Sequence, residues 1–265
     1  MQLQLHAEDT TNHTMPQLAH WQVLYEAMPD ATFASAKGFN FHADTLQQGE
    51  TLKLEMAIAN PSNAPLDSLL IQYTIINEQN RAWTYQKRQA PLAAQGTIST
   101  KFELNTQELM GKHQLIVELN PNQEQKELYD FNNTGVTNFV VLGDTRNPLI
   151  DVAFDGVRIL NGDIVSPKPN ITVNLRDENK FLALKDTSLF ELALLYPSGK
   201  LEQIPLNDPR IAFFPAEEGN LTTKNEAKIE FRPEFAENGK YQLKVKAADV
   251  TGNKAGAYEY TVDLK

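Results

Sequence analysis

Apolar and polar residues alternate with period two along most of the chain. Leu52, Leu54, Met56 and Ile58 are interleaved with Lys53, Glu55 and Ala57. Leu115, Val117 and Leu119 are interleaved with Ile116 and Glu118, and Ile171, Val173 and Leu175 with Thr172, Asn174 and Arg176. Tyr241, Leu243, Val245 and Ala247 are interleaved with Gln242, Lys244 and Lys246. Successive side chains of a strand point to opposite faces, so this pattern predicts strands that bury one face and wet the other, as in antiparallel sheets. Turn-forming stretches lie between them: Gln48-Gly49, Asn60-Pro61-Ser62-Asn63, Asn120-Pro121-Asn122, Pro197-Ser198-Gly199, Asn238-Gly239 and Thr251-Gly252-Asn253. Short strands at this spacing predict an all-β chain built of antiparallel β-sandwiches of immunoglobulin-like type.

Helix signals are few. Residues 16–28 carry helix formers, but Trp21, Val23 and Tyr25 alternate and Pro29 closes the segment, so a strand is the preferred reading. Leu3 and Leu5 alternate in the same way, as do Tyr258, Tyr260, Val262 and Leu264 at the other end. Asn105 to Gly111 is expected to form one helical turn, capped by Asn105 or Thr106 and ended by Gly111. The segment Gly143-Asp144-Thr145-Arg146-Asn147-Pro148 lies between two apolar runs, Phe139–Leu142 and Leu149–Phe154, and reads as an inter-domain linker. Three parts follow: residues 1–29 as an extension or the end of a preceding module, 30–145 as one sandwich and 146–265 as a second. Both ends read as cut from a longer chain, since the start has neither the basic region nor the apolar core of a signal peptide.

Composition narrows the function classes. The chain has 265 residues, enough for two cores. Its net charge of −10 opposes electrostatic attraction to nucleic acid or an anionic membrane. Most of that charge lies before the linker, with 8 basic against 16 acidic residues up to 145 and 16 against 18 after it. No apolar run approaches the length of a membrane helix. With no cysteine, disulfides, thiolate metal sites and a Cys nucleophile are excluded.

No catalytic constellation is legible. There is no Gly-x-Ser-x-Gly, and Ser198 falls in a turn. The five histidines, His6, His13, His20, His42 and His113, lack ligand spacing and are expected at the surface. Adjacent carboxylates such as Asp177-Glu178 and Glu217-Glu218 point to opposite faces of a strand, so neither makes an acid/base pair. Calcium is the one cofactor the residue pattern admits. Hard oxygen donors cluster at Asp177, Glu178 and Asn179 near Asp186, and at Asp130, Asn132 and Asn133 near Glu127. The competing reading of both clusters is a solvated or self-capping turn. Trp83 and Tyr85 share one face of a predicted strand and could form a glycan platform, against the alternative that they belong to the core. One of Phe213 and Phe214 is expected at the surface.

Several stretches in order resemble the CARDB family, a cell-adhesion-related domain. They are Leu46-Gln47-Gln48-Gly49-Glu50-Thr51-Leu52, Ala57-Ile58-Ala59-Asn60-Pro61-Ser62-Asn63-Ala64, Pro91-Leu92-Ala93-Ala94-Gln95-Gly96, Gly111-Lys112-His113-Gln114-Leu115 and Glu127-Leu128-Tyr129-Asp130-Phe131-Asn132-Asn133-Thr134. The resemblance implies a seven-stranded immunoglobulin-like sandwich with its Glu…Asn-Asn signature in the loop before the last strand. Asn238-Gly239-Lys240-Tyr241-Gln242-Leu243 and Asp249-Val250-Thr251-Gly252-Asn253 resemble the ending of a bacterial immunoglobulin-like module. Asp44-Thr45-Leu46-Gln47, Asn147-Pro148-Leu149-Ile150-Asp151-Val152, residues 160–169 and Asp177-Glu178-Asn179-Lys180-Phe181 resemble a region of large Bacteroidota surface proteins. There such modules follow a gingipain-like cysteine peptidase similar to the type IX secretion sortase. The Cys/His domain is absent here, so no peptidase residue is carried over. The resemblance implies a non-catalytic, secreted or cell-surface segment whose partners are neighbouring domains of one parent chain. The alternative is an adhesion module that grips a glycan or a surface protein.

Overall fold

The computed structural model describes residues 4–14, 17, 20, 22–24, 26–34, 39–41, 43–255 and 260–264. It is nearly all-β, as the alternation predicts. Among the described residues no helix is long and apolar enough to cross a membrane.

The first sandwich contains β1 (Thr32–Phe33), β2 (Phe39–Phe41), β3 (Thr45–Gln47), β4 (Thr51–Ala59), β5 (Leu70–Asn77), β6 (Ala82–Arg88), β7 (Thr97–Asn105), β8 (Gly111–Leu119) and β9 (Thr134–Leu142). In one sheet β4 pairs with β7, and with the short β1 and β2. The other sheet has the order β3-β9-β8-β5-β6, with β3 parallel to β9. Leu52, Leu54, Met56 and Ile58 of β4 face Ile71, Tyr73 and Ile75 of β5 and Leu115, Val117 and Leu119 of β8, all buried in one core. Tyr73 stacks on Phe102 with ring centroids 4.2 Å apart.

The second sandwich contains β10 (Leu149–Phe154), β11 (Ile171–Asp177), β12 (Phe190–Leu195), β13 (Leu201–Ile204), β14 (Ile211–Phe214), β15 (Asn225–Phe231), β16 (Tyr241–Ala247) and β17 (Tyr260–Leu264). Its sheets run β10-β11-β15-β14 and β13-β12-β16-β17, antiparallel throughout. Lettered A to G in chain order with β13 as C′, these are the A-B-E-D and C′-C-F-G sheets of an immunoglobulin-like sandwich. Its core, from Val152 to Ala255, is separate from the first, which runs from Ala31 to Val141. Tyr241, at the start of β16, accepts from the Glu237 N–H at 2.9 Å and donates to the Glu237 carbonyl at 3.1 Å. This ties the corner before that strand to its first core residue, as in the tyrosine corner of such folds.

Some local expectations differ. The described residues among 16–28 and 4–7 carry no strand, and Leu3, Trp21 and Tyr25 lie outside the described residues. Residues 105–111 form a single hydrogen-bonded turn and no helix: Leu109 N donates to the Thr106 carbonyl, and Asn105 Oδ1 accepts from Gln107 N at 2.7 Å. The five residues between β7 and β8, 106–110, leave no room for a nucleated helix. Phe213 packs on the second core while Phe214 is exposed.

Candidate metal centre at the domain junction

The inward stripe of β11 is Ile171, Val173, Leu175 and Asp177; that of β16 is Tyr241, Leu243, Val245 and Ala247, continued by Asp249. Each apolar stripe therefore ends, one step of period two later, in an aspartate at the same end of the sandwich. Both are buried, Asp177 with 7% and Asp249 with 3% of its surface exposed. The linker adds Asp144, half-buried, and a carboxylate oxygen of each of the three residues lies within 4.8 Å of the others.

The surrounding hydrogen bonds hold two of the three carboxylates firmly. Asp249 Oδ1 accepts from Thr251 N at 2.9 Å and Asn253 N at 2.8 Å, closing the turn that leads to the last strand. Asp249 Oδ2 accepts from Asn253 Nδ2 at 2.8 Å. Asp144 Oδ1 accepts from Arg146 N at 3.0 Å, and Asp144 Oδ2 from Asn179 Nδ2 at 2.9 Å. Asp177 differs: its Oδ1 is buried and meets no donor. Burial, then the charges of Asp144 and Asp249, push its carboxyl up to about 6, against the hydrogen bond from the Asn179 N–H that lowers it. A buried carboxylate oxygen without a donor is costly, and two neighbours of like sign add to that cost.

The same residues tie the two sandwiches together. Asp144 N donates to Gln48 Oε1 of the first sandwich at 3.2 Å, and Asn253 Nδ2 of the second donates to the Asp144 carbonyl at 3.0 Å. Gln48 Nε2 also donates to the Gln107 carbonyl at 2.8 Å. Gly49 has φ +89°, and a Cβ there would lie 2.6 Å from Leu182 Cδ2 across the seam. Asn225, 2% exposed, donates to the Asn179 and Leu182 carbonyls at 2.8 Å each and accepts from Leu184 N at 3.1 Å. It thereby fixes the loop that carries Asn179 and Leu182 to the seam. Clefts flank the seam: Gln47, Gln48, Asp144, Arg146, Asn179 and Lys180 line one, and Gly49, Asn105, Phe181 and Ser188 are among those lining the other.

Of the four residues named from the sequence as calcium ligands, Asp177 lies in the cluster, and Asn179 borders it as a donor, its Nδ2 on Asp144 while its Oδ1 accepts from Phe181 N at 2.8 Å and Leu182 N at 2.9 Å. Glu178 and Asp186 do neither. Glu178, one step along the strand from Asp177, points outward and pairs with Arg146. Asp186 caps a turn, its Oδ1 accepting from Ser188 N at 2.8 Å. Asp144 and Asp249 were missed because they are 33 residues before and 72 residues after Asp177 and meet it only through the fold.

In the second oxygen-rich cluster the Glu127 carboxylate is fully engaged, while Asn132 Oδ1 and Asn133 Oδ1 are buried and meet no donor. Glu127 Oε2 accepts from Ala31 N at 2.7 Å, and Oε1 from Asn120 Nδ2 at 2.6 Å and Asn133 Nδ2 at 3.0 Å. Asp30 takes Tyr129 N and Asn132 Nδ2, each at 3.1 Å. The Glu…Asn-Asn signature thus pins the segment entering the first sandwich to the loop before its last strand.

Trp83 and Tyr85 lie on the edge strand β6, half-buried, with one side against the first core. Tyr85 meets Phe102 at 5.7 Å between centroids, and Arg81 lies over Trp83 at 4.8 Å. With Asn105, Gln107 and Glu108 the two rings line a shallow groove. His113 is not at the surface: it is 4% exposed and stacks on Phe139 at 5.1 Å. It continues the inward stripe of Leu115, Val117 and Leu119. His6, His13 and His20 are exposed, and His42 lies outside the described residues.

No family model matches the chain, and no curated protein sequence does. Solved structures do. The crystal structure of the CARDB domain of a Pyrococcus furiosus protein, in complex with di-metal ions, covers 46% of this chain and 100% of that one at 14% identity, with a TM-score of 0.34. A domain of a proposed cell surface protein of Methanosarcina acetivorans covers 43% of this chain and 93% of its own at 16% identity, also with a TM-score of 0.34. Red sea bream transglutaminase covers 92% of this chain and 32% of its own at 12% identity, with a TM-score of 0.29.

Proposed function

We propose that the chain is a non-catalytic pair of sandwiches that sets a fixed angle and spacing between its neighbours in a secreted or cell-surface protein. The observation that supports this is the seam. A six-residue linker, 143–148, is held by Gln48 on one side and by Asn179 and Asn253 on the other, and Leu182 seats against Gly49. Two closed cores joined this way resist swinging, whereas a bare polar linker leaves two domains to move independently. A gingipain-like peptidase as the neighbour is the finer form of this reading and rests on the sequence resemblance alone.

Residual dipolar couplings measured separately for residues 45–142 and 149–255 test the reading. A spacer gives one alignment tensor for both sandwiches; two independent tensors would refute it. The groove at Trp83 and Tyr85 favours a second reading, glycan binding. A glycan array with micromolar hits that vanish in Trp83→Ala would support that one instead.

A further inference from the structure

We propose that Asp144, Asp177 and Asp249 form a calcium site that locks the linker onto the second sandwich. Three observations lead there. The carboxylates come from three separate segments, yet an oxygen of each lies within 4.8 Å of the others. Two oxygens bound on opposite sides of one calcium ion are about 5 Å apart, since each sits 2.3–2.6 Å from it. Independently of that grouping, Asp177 is buried, with 7% of its surface exposed, and its Oδ1 meets no donor, so the fold leaves one oxygen of a buried carboxylate beside two others unsatisfied. Third, the two basic side chains lining the adjoining cleft are turned to other partners or to solvent. Arg146 is engaged by Glu178 with both side chains mostly exposed, and Lys180 is exposed at the rim of the cleft.

Lone pairs remain for an ion. Asp144 Oδ1 and Oδ2 and Asp249 Oδ2 each accept one hydrogen bond, and a carboxylate oxygen has room for a second partner. The donor set is all oxygen, the preference of a hard cation. Calcium tolerates an irregular set of side chains completed by water, whereas magnesium demands a near-ideal octahedron and keeps most of its water. Asp144 belongs to the linker and the other two to the second sandwich, so the ion would fasten the joint where the hydrogen-bonded seam already guides it. The site stands on this geometry and not on the spacer reading, because the dipolar-coupling experiment on the chelated chain tests that one without the ion.

The full 265-residue chain is the test object. Calorimetric titration with calcium chloride after chelator treatment is expected to show one site. Thermal unfolding should rise by about 5 °C or more in roughly 5 mM calcium relative to chelator. Hydrogen exchange should slow at residues 144–147 and 249–253. Asp177→Asn removes the ligand without removing a hydrogen bond to Oδ1, so it should stay folded and lose the response. Glu178→Gln and Asp186→Asn should keep it. A wild-type melting temperature indifferent to calcium overturns the proposal, as does a full response in Asp177→Asn. An equal response to magnesium overturns the assignment to calcium.

Discussion

At the scale of single residues, burial decides what a titratable group does here. His113 Nδ1 donates to the Gly111 carbonyl at 3.1 Å, and its Nε2 has no partner. Burial lowers its affinity for a proton, more than the Gly111 carbonyl and the charge of Glu78 raise it. In the unfolded chain the imidazole takes up a proton near its ordinary value of about 6.5. The unfolded state therefore binds more protons as pH falls through that value, and stability of the first sandwich drops with it. In His113→Phe, which keeps a ring against Phe139, that loss between about pH 7 and 5 should largely disappear, as read by denaturant melts across pH. A wild-type stability flat over that window would contradict this account. The expectation of His113 at the surface was wrong, and the signal that could have corrected it is its place two residues before Leu115 on the same face. Asp177 and Asp249 were legible as the last inward positions of their strands. What the sequence alone does not carry is that those two ends, and Asp144, meet.

At the scale of elements, period two was reliable where both neighbours of a strand exist and unreliable at the margins. β4, β8, β11 and β16 lie in the sheets at the positions their alternation indicates, with the apolar members in the cores. Leu5 has the same pattern and no strand, because alternation yields a strand only where a partner strand supplies the ladder. The turns follow local chemistry more closely. Gly49 is the turn with the most consequence, since its φ of +89° and its contact with Leu182 both exclude a side chain. Gly49→Ala should cost about 1–2 kcal/mol from backbone strain alone and push Leu182 off the seam. Melting of the first sandwich should fall, and the dipolar couplings of the two sandwiches should no longer fit one tensor. An unchanged common tensor would mean that the hydrogen bonds through Asp144 suffice to hold the joint.

At the scale of the whole molecule, the two cores are separate, and the seam between them combines the hydrogen bonds through Asp144 with the approach of Phe181 and Leu182 to Gly49. Each core buries its own side chains, so each sandwich should unfold as a cooperative unit, with the seam coupling them only weakly. Leu243 lies at the centre of the second core with no exposed surface. Leu243→Ala should cost that sandwich about 2–5 kcal/mol through lost transfer energy and a cavity. For a domain of this size that is a fall of roughly 10 °C or more in its transition. The first sandwich should move by far less, because the substituted residue touches only its own core. Differential scanning calorimetry of the full chain, with the transitions assigned by His113→Phe and Leu243→Ala, measures both shifts at once. If Leu243→Ala lowers both transitions equally, the two sandwiches form a single cooperative unit. The seam would then contribute far more than its hydrogen bonds and the apolar approach at Gly49 account for.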